Sequence, residues 1–235
     1  HPECRTYGAK WKGGRRNLME AIYLGVDVAG ASNTWVAGLS EGDDGLRVSL
    51  APQLASLASI VTTCRDMPVA AVAIDGHLTM SLSAETGFRA SDRRLRDLLP
   101  SDCRNWVSSL NSLMAVPVRG QLLAQHLAPL VGTVLETHPR ASLLFALGQG
   151  VEGAVRAYKR GGEAGAAAIA ALWERWAARF SISIDAPPEG DGALDALVCA
   201  TTVYLYHRAP GALLHLREEG PVRGWGPFYV VAPGG

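Results

Sequence analysis

The feature that most constrains the fold is an apolar run, Val69 to Ile74, which follows Pro68 and ends at Asp75. A run this short and this continuously apolar is typical of a parallel strand that is buried on both faces. Such strands occur in sheets whose two faces are covered by helices. The run therefore predicts an α/β fold.

The strands before this run are predicted to be antiparallel. Residues 21–28 and 34–39 are rich in strand-forming side chains and flank a Gly/Ala/Ser/Asn turn, which is typical of a hairpin. Alternating apolar and polar residues over 46–50 predict a third strand. A later strand is predicted at 133–136, a short strand or covering loop at 224–231, and helices at 54–64, 91–99, 120–128, 141–147, 165–179 and 193–207. This order predicts a mixed sheet, a three-stranded antiparallel meander followed by parallel strands, with helices on both faces.

Length and composition predict one domain. The chain has 235 residues, of which 48% are hydrophobic and 19% are charged, as in ordinary globular proteins. Residues 1–18 mix Arg, Lys, Gly and Pro without the apolar segment of a secretory signal, which favours a flexible arm or a cloning remnant and a native start at Met19. Residues 19–235 are predicted to form the single domain.

Charge and cysteine content limit the classes of function. The formal net charge is zero, so no overall positive field indicates a nucleic-acid partner, which weakens a nuclease interpretation without excluding it. Four scattered cysteines lack the spacing of a structural zinc site and favour a reduced, cytoplasmic protein. No apolar stretch is long enough to cross a bilayer, so no membrane association is expected.

Three carboxylates lie at or just after the ends of predicted strands. They are Asp27, Asp75 and Glu136. A charged side chain beside a buried strand is unfavourable unless it is paired, hydrogen-bonded or bound to a metal. Open α/β sheets place ligands beyond the carboxyl ends of their strands, so these three acids are expected to converge on one crevice.

A further acidic pair, Asp191 and Asp195, precedes an apolar helix. Spacing of i, i+4 places both residues on one helix face, where like charges repel unless a cation lies between them. Oxygen ligands of this kind suit Mg²⁺ or Mn²⁺, and two such ions can catalyse the in-line hydrolysis of a phosphodiester. The sequence thus predicts metal ligands at Asp27, Asp75, Asp191 and Asp195, with Glu136 as an additional ligand or base.

Taken singly, each acid also has an ordinary structural interpretation. Asp191 is equally consistent with a helix N-cap, Asp75 with a turn residue before Gly76, and Asp27 with a partner for a local amide. The shared position at strand ends favours a site.

At these residues the sequence resembles the domain-of-unknown-function 429 family, whose members are described as predicted RNase H-like nucleases. The resemblance covers roughly residues 23–233. The motifs that carry it, in order, are Gly25-Val26-Asp27, Ala73-Ile74-Asp75-Gly76-His77-Leu78, Arg89-x-x-Asp92-Arg93-x-Leu95-Arg96, Glu136-Thr137-His138-Pro139-Arg140-Ala141-Ser142, Asp195-Ala196-Leu197 and Gly224-Trp225. The order of these short motifs is more specific than any one of them.

The resemblance implies an RNase H-like fold and a magnesium or manganese site held by carboxylates. By motif position, Asp27 would be the central ligand on the first strand, Asp75 the acid after the fourth strand, and Asp195 the ligand on the last helix. Glu136 matches the family's Glu-x-x-Pro motif. Together these four residues would be the catalytic set.

Several residues are predicted to contact a substrate. His77 and His138 stand where the family usually has other residues, and each is a candidate to orient a phosphate, although an ordinary hydrogen-bonding role is favoured for both. Arg89, Arg93 and Arg96 follow Asp75 and are candidates to hold backbone phosphates. For a second basic group, Arg156, Lys159 and Arg160, a solvated helix face is favoured.

Three hypotheses for function remain open. The first is a metal-dependent nuclease. The second keeps the fold but has no catalysis, so that the domain binds nucleic acid or a protein partner and its acids serve as caps and turn partners. The third is phosphoryl transfer from a nucleotide, for which residues 29–34 offer one glycine-containing loop but no second one.

Overall fold

The structure is a computed structural model that describes residues 20–81, 86–113, 115–183, 187–220 and 222–233. The predicted N-terminal arm and Met19 lie outside these ranges. In chain order the described elements begin with strands β1 (Ile22–Asp27), β2 (Trp35–Gly42) and β3 (Gly45–Leu54), followed by helix α1 (Leu57–Asp66) and strands β4 (Val69–Asp75) and β5 (Thr79–Ser81).

The middle of the chain is mainly helical. It contains α2 (Ala90–Leu98), 3₁₀ turns at Ser101–Trp106 and Leu110–Ser112, α3 (Ala115–Leu127), β6 (Thr133–Thr137), α4 (Pro139–Leu147), α5 (Glu152–Ala157) and α6 (Gly162–Phe180). The last elements are β7 (Ile182–Ser183), α7 (Asp191–Arg208), a 3₁₀ turn at Pro210–Ala212, and short strands β8 (Leu213–His215), β9 (Val222–Gly224) and β10 (Tyr229–Val231).

The main sheet is mixed, as the sequence predicts. Its six described strands lie in the order β6-β4-β1-β2-β3-β7. The meander β1–β2–β3 is antiparallel, whereas β4 is parallel to β1 and β6 is parallel to β4. The two-residue strand β7, which the sequence analysis did not predict, pairs in parallel with β3. Two small ribbons, β5–β9 and β8–β10, lie outside this sheet; β10 lies within the predicted tail, whereas β9 overlaps the tail only at Gly224.

Some helix boundaries differ from the prediction. Residue Leu54 still belongs to β3, because it pairs with Trp35, and α1 begins only at Leu57. Ser56 is the N-cap, and its hydroxyl accepts from the amide of Ser59 at 3.1 Å. Helix α3 begins five residues earlier than predicted, with Pro117 in its first turn, where the missing amide proton is not needed.

The two faces of the sheet are covered by different helices. One face buries Leu24, Val26 and Ile74 against residues of α1 and α3. The other face buries Tyr23, Ala73 and Leu135 of the sheet against α7, through a cluster that includes Cys199 and Val203. Side chains alternate along a strand, so Asp27 and Asp75 belong to the α7 face.

Helix α7 lies unusually close to β1 because of a glycine. A Cβ atom on Gly25 would come within 1.9 Å of the Ala196 carbonyl oxygen and 2.8 Å of the Cys199 Cβ atom. Only glycine permits this approach. The contact fixes the height of α7 above the sheet and thereby the position of Asp195.

Candidate metal centre

Three of the predicted ligands meet at the carboxyl ends of β1 and β4. Asp27 and Asp75 are register partners on these neighbouring parallel strands, and Asp195 reaches them from α7. One carboxylate oxygen from each residue can be chosen so that all three lie within 4.8 Å of one another. We call these three residues the acidic triad. A spacing of this size allows one cation to contact all three carboxylates.

Glu136 does not join the acidic triad. In the pairing of β4 with β6, Ile74 is opposite Glu136 and Asp75 is opposite Thr137. Because side chains alternate along a strand, Thr137 lies beside Asp75 and Glu136 lies on the other face. The sequence alone does not give this register, because it depends on the pairing of β6 with β4.

The Glu136 carboxylate is instead paired inside the protein. Its Oε2 atom accepts from Arg89 Nη1 at 2.8 Å and from the Leu78 amide at 2.8 Å. Arg89 also donates to Asp92, with Nη2–Oδ1 at 2.7 Å, and only 1% of Arg89 is exposed. Arg89 therefore does not make the phosphate contact that the sequence predicted, because a guanidinium buried in this way does not meet a ligand from solvent.

Two residues at the end of α5 hold Asp195. The Tyr158 hydroxyl donates to Asp195 Oδ1 at 2.9 Å, and the Lys159 ammonium donates to Oδ2. Lys159 Nζ is also 3.6 Å from Asp191 Oδ2, so Asp191 is linked to the acidic triad through this lysine and not as a member of it. The sequence analysis favoured a solvated helix face for Lys159, since nothing local indicated that this residue, just after α5, would reach Asp195 of α7.

The acidic triad carries more negative charge than its surroundings balance. Burial raises the pKa of Asp75 to about 7, and the charge of Asp195 adds to this effect. Burial and the charges of Asp195 and Asp75 raise the pKa of Asp27 well above its ordinary value of 3.8. Burial also raises the pKa of Asp195, although Lys159 and Tyr158 act against it. A divalent cation would relieve this repulsion.

We compared the chain with protein-family models, curated proteins and solved structures. None of them matches. The chemistry of the site is therefore argued from its own residues.

Asp75 lies on the wall of a cleft of about 400 Å³. The other charged and polar side chains on this wall include two cations, two carboxylates and three neutral or titratable groups: Arg140, Lys159, Asp92, Glu136, His77, Thr137 and His138. The cleft begins where β4 and β6 end, which is where ligands bind in open α/β sheets. We call it the strand-end cleft.

The two predicted histidines both line the strand-end cleft, but their ring nitrogens are engaged. His138 is the N-cap of α4: its Nδ1 accepts from the Ala141 amide at 3.2 Å, and its Nε2 is 3.3 Å from the Trp106 carbonyl oxygen. Burial lowers the pKa of His138 to about 4, so the ring is neutral near pH 7. His77 Nε2 lies 3.5 Å from Asp92 Oδ1. Hydrogen bonds thus hold both rings in place.

Arg93 and Arg96 are bonded to main-chain carbonyls near α2. Arg93 Nη1 donates to the Phe88 oxygen at 2.7 Å, and Arg96 Nη1 donates to the Arg104 oxygen at 2.8 Å. Neither belongs to the wall of the strand-end cleft. Arg140, which the sequence analysis did not single out, does belong to it.

Among the described cysteines, Cys64, Cys103 and Cys199 are buried free thiols. Within the described ranges, no helix is both long and apolar enough to cross a membrane.

Proposed function

We propose that the protein is a metal-dependent nuclease of the RNase H-like class, which hydrolyses phosphodiesters at the acidic triad. The observation that carries this proposal is the convergence of Asp27, Asp75 and Asp195, from three separate elements, to within 4.8 Å. Acidic residues that serve only as helix caps or turn partners are not expected to converge in this way.

The donor set fits Mg²⁺ or Mn²⁺. All three candidate ligands are carboxylates, the hard oxygen donors that these ions prefer. Asp195 is buried and Asp27 and Asp75 are half-buried, and among the described residues one ammonium, that of Lys159, pairs with this group of carboxylates. Asp27, Asp75 and Asp195 would hold the ion, and Asp191 would contribute charge through Lys159.

The fold supports the same proposal. A three-stranded meander followed by two parallel strands is the sheet that the resemblance to the domain-of-unknown-function 429 family implies. The first strand, the fourth strand and the last long helix carry the three acids, as that resemblance expects. Membership in that family and the RNase H-like assignment are parts of the proposal.

When bound, such an ion activates a water and stabilises the leaving oxygen of an in-line displacement at phosphorus. The chain's own residues prepare the site for this step. Tyr158 and Lys159 fix the orientation of the Asp195 carboxylate through two bonds. Glu136 holds the turn after β4 through the Leu78 amide and the Arg89 guanidinium, and it is therefore a positioning residue.

The test is calorimetric titration of Mn²⁺ and of Mg²⁺ into metal-free protein. Native protein is expected to bind the ion, whereas Asp27→Asn and Asp195→Asn are each expected to lose this binding. Asp97→Asn is the matched control, because Asp97 is exposed on α2. Equal binding by all four proteins would refute the site. If the metal binds, cleavage of single-stranded, duplex and branched nucleic acids in its presence then tests the nuclease activity.

A non-catalytic domain that binds nucleic acid or a protein partner is the second candidate. The Lys159–Asp195 ion pair favours it, because an internal ammonium neutralises part of the acidic triad without a metal. This candidate predicts no heat of metal binding in native protein and no cleavage of any nucleic acid.

A further inference from the structure

The strand-end cleft carries positive charge beside Asp75, the member of the acidic triad that lies on its wall. Helix α4 begins there: Thr137 ends β6, His138 is the N-cap, and Arg140 lies in the first turn. Pro139 has no amide proton and the Ala141 amide already donates to His138 Nδ1, so this N-terminus favours an anion mainly through the partial positive charge of the helix. Two other residues of the cleft wall, Thr137 and Arg140, indicate the same kind of ligand.

The first observation is the Thr137 hydroxyl. Thr137 is 1% exposed and lines the strand-end cleft, and its Oγ1 atom has no hydrogen-bond partner among the described residues. Buried hydroxyl groups in folded proteins nearly always have a partner. Thr137 is also the register partner of Asp75, so their side chains lie on adjacent strands about 4.8 Å apart. A ligand held at Asp75 is within reach of this hydroxyl.

The second observation is Arg140. Its guanidinium lies over the Trp106 ring, 4.0 Å from the centroid. Nε and Nη2 donate to the carbonyl oxygens of Val155 and Arg156 at 3.1 and 3.4 Å, which fixes the side chain without neutralising its charge. No ion pair joins Arg140 to any carboxylate in the described part of the chain. An arginine held in this way is suited to a phosphate oxyanion.

We propose that Thr137, Arg140 and the N-terminus of α4 form a phosphate-binding subsite beside the acidic triad. This subsite rests on the proposed function and adds to it, because the phosphate of the substrate would lie between the metal ion and the subsite. The Thr137 hydroxyl would donate to one phosphate oxygen, and the Arg140 guanidinium would balance the charge of another. The ligand class is a phosphate group or a phosphate ester.

The experiment is a calorimetric titration of inorganic phosphate into metal-free protein and into protein saturated with Mg²⁺, at low ionic strength. Thr137→Val keeps the shape of the side chain and removes the hydroxyl, and Arg140→Met removes the charge. Each is expected to weaken phosphate binding by about tenfold or more, since a hydrogen bond to a charged group contributes that much. Arg93→Met is the control, because it removes an equal charge outside the strand-end cleft.

Thermal melting of each variant shows whether it is folded, and Thr137→Val is the decisive variant because it leaves no void. Phosphate binding that is unchanged in both folded variants would overturn the subsite, as would a native protein that binds no phosphate with or without Mg²⁺. If phosphate binding weakens no more in Thr137→Val and Arg140→Met than in Arg93→Met, the effect is a general charge attraction. That result would also overturn the subsite. Titration of Mg²⁺ alone separates the two proposals: phosphate binding without metal binding would retain the subsite and remove the metal centre.

Discussion

Lys159 at the end of α5 donates to the Asp195 carboxylate of α7, the same carboxylate that completes the acidic triad. Burial by itself lowers the pKa of Lys159, but the charge of Asp195 raises it well above its ordinary value. The ammonium therefore stays charged and competes with any metal for Asp195. This competition leads to the first prediction.

Replacing Lys159 by Met is expected to tighten Mn²⁺ binding and to destabilise the metal-free protein. The reason is that Asp195 loses its counter-charge in the metal-free state and gains a more complete one with the ion. The Lys159 side chain is 36% exposed, so we expect a loss of only about 1–3 kcal/mol in the free energy of unfolding. Calorimetry and urea denaturation measure the two effects. Weaker metal binding in the variant would show that Lys159 supports the ion instead of competing with it.

The contribution of Asp75 to the stability of the metal-free protein is expected to fall as the pH rises from about 4 to about 8. His138, whose pKa burial lowers to about 4, acts in the opposite sense up to about pH 6.5, so the Asp75 contribution is the difference between native protein and Asp75→Asn. The pKa of Asp75 is raised from 3.8 to about 7, so between these values the folded state holds a proton that the unfolded state has released. The stabilisation is complete below pH 4 and is lost as the pH passes 7. Thermal melting at a series of pH values measures this dependence.

The same dependence should be weaker in Asp75→Asn, which cannot take up the proton. Saturating Mg²⁺ should oppose it in native protein, because the ion replaces the proton as the ligand of the acidic triad. A pH dependence that is identical in native protein and in Asp75→Asn would contradict the assignment to Asp75.

Replacing Glu136 by Gln is expected to change metal affinity only slightly, through the loss of a nearby charge that acts on Asp75, and to lower stability. Glu136 lies on the opposite face from the acidic triad, and its buried ion pair with Arg89 would lose one charge. Loss of one partner from such a pair is expected to cost about 3–5 kcal/mol. Urea denaturation and Mn²⁺ titration on the same protein sample check both statements. A large loss of metal affinity in the folded variant would restore the ligand role that the sequence predicted.

Replacing Gly25 by Ala is expected to destabilise the protein by about 3 kcal/mol or more, because the new methyl group would overlap the Ala196 carbonyl. Gly153→Ala is the matched control: it lies in helix α5, and its added Cβ would meet nothing within 4 Å. That change is expected to stabilise by about 0.5–1 kcal/mol. Equal denaturation midpoints for the two variants would mean that α7 shifts without difficulty.

The features that the sequence predicted well are local ones. The apolar composition of residues 69–74 correctly predicts strand β4. The predicted strands β1 and β4 in turn place Asp27 and Asp75 at strand ends. The i, i+4 spacing of Asp191 and Asp195 correctly predicts that both side chains lie on one face of α7, since Lys159 contacts both. Each of these inferences uses residues that are close along the chain.

The features that were missed depend on contacts between distant segments. Glu136 and Thr137 both follow an apolar strand, and only the pairing of β6 with β4 decides which of them lies beside Asp75. Arg89 looked like a surface cation because one of its carboxylate partners, Glu136, is 47 residues away, although another, Asp92, is only three residues away. Lys159 looked solvated because nothing in α5 indicates its contact with α7.

Cys199 provides a reporter of how often the acidic triad opens. Its thiol is fully buried between α7 and β1, one helical turn beyond Asp195, with Sγ 3.6 Å from the Val26 carbonyl oxygen. An alkylating reagent reaches this sulfur only when α7 leaves the sheet, and the same movement separates Asp195 from Asp27 and Asp75. The labelling rate of Cys199 therefore measures the frequency with which the three acids come apart, and a cation that joins them should slow that rate.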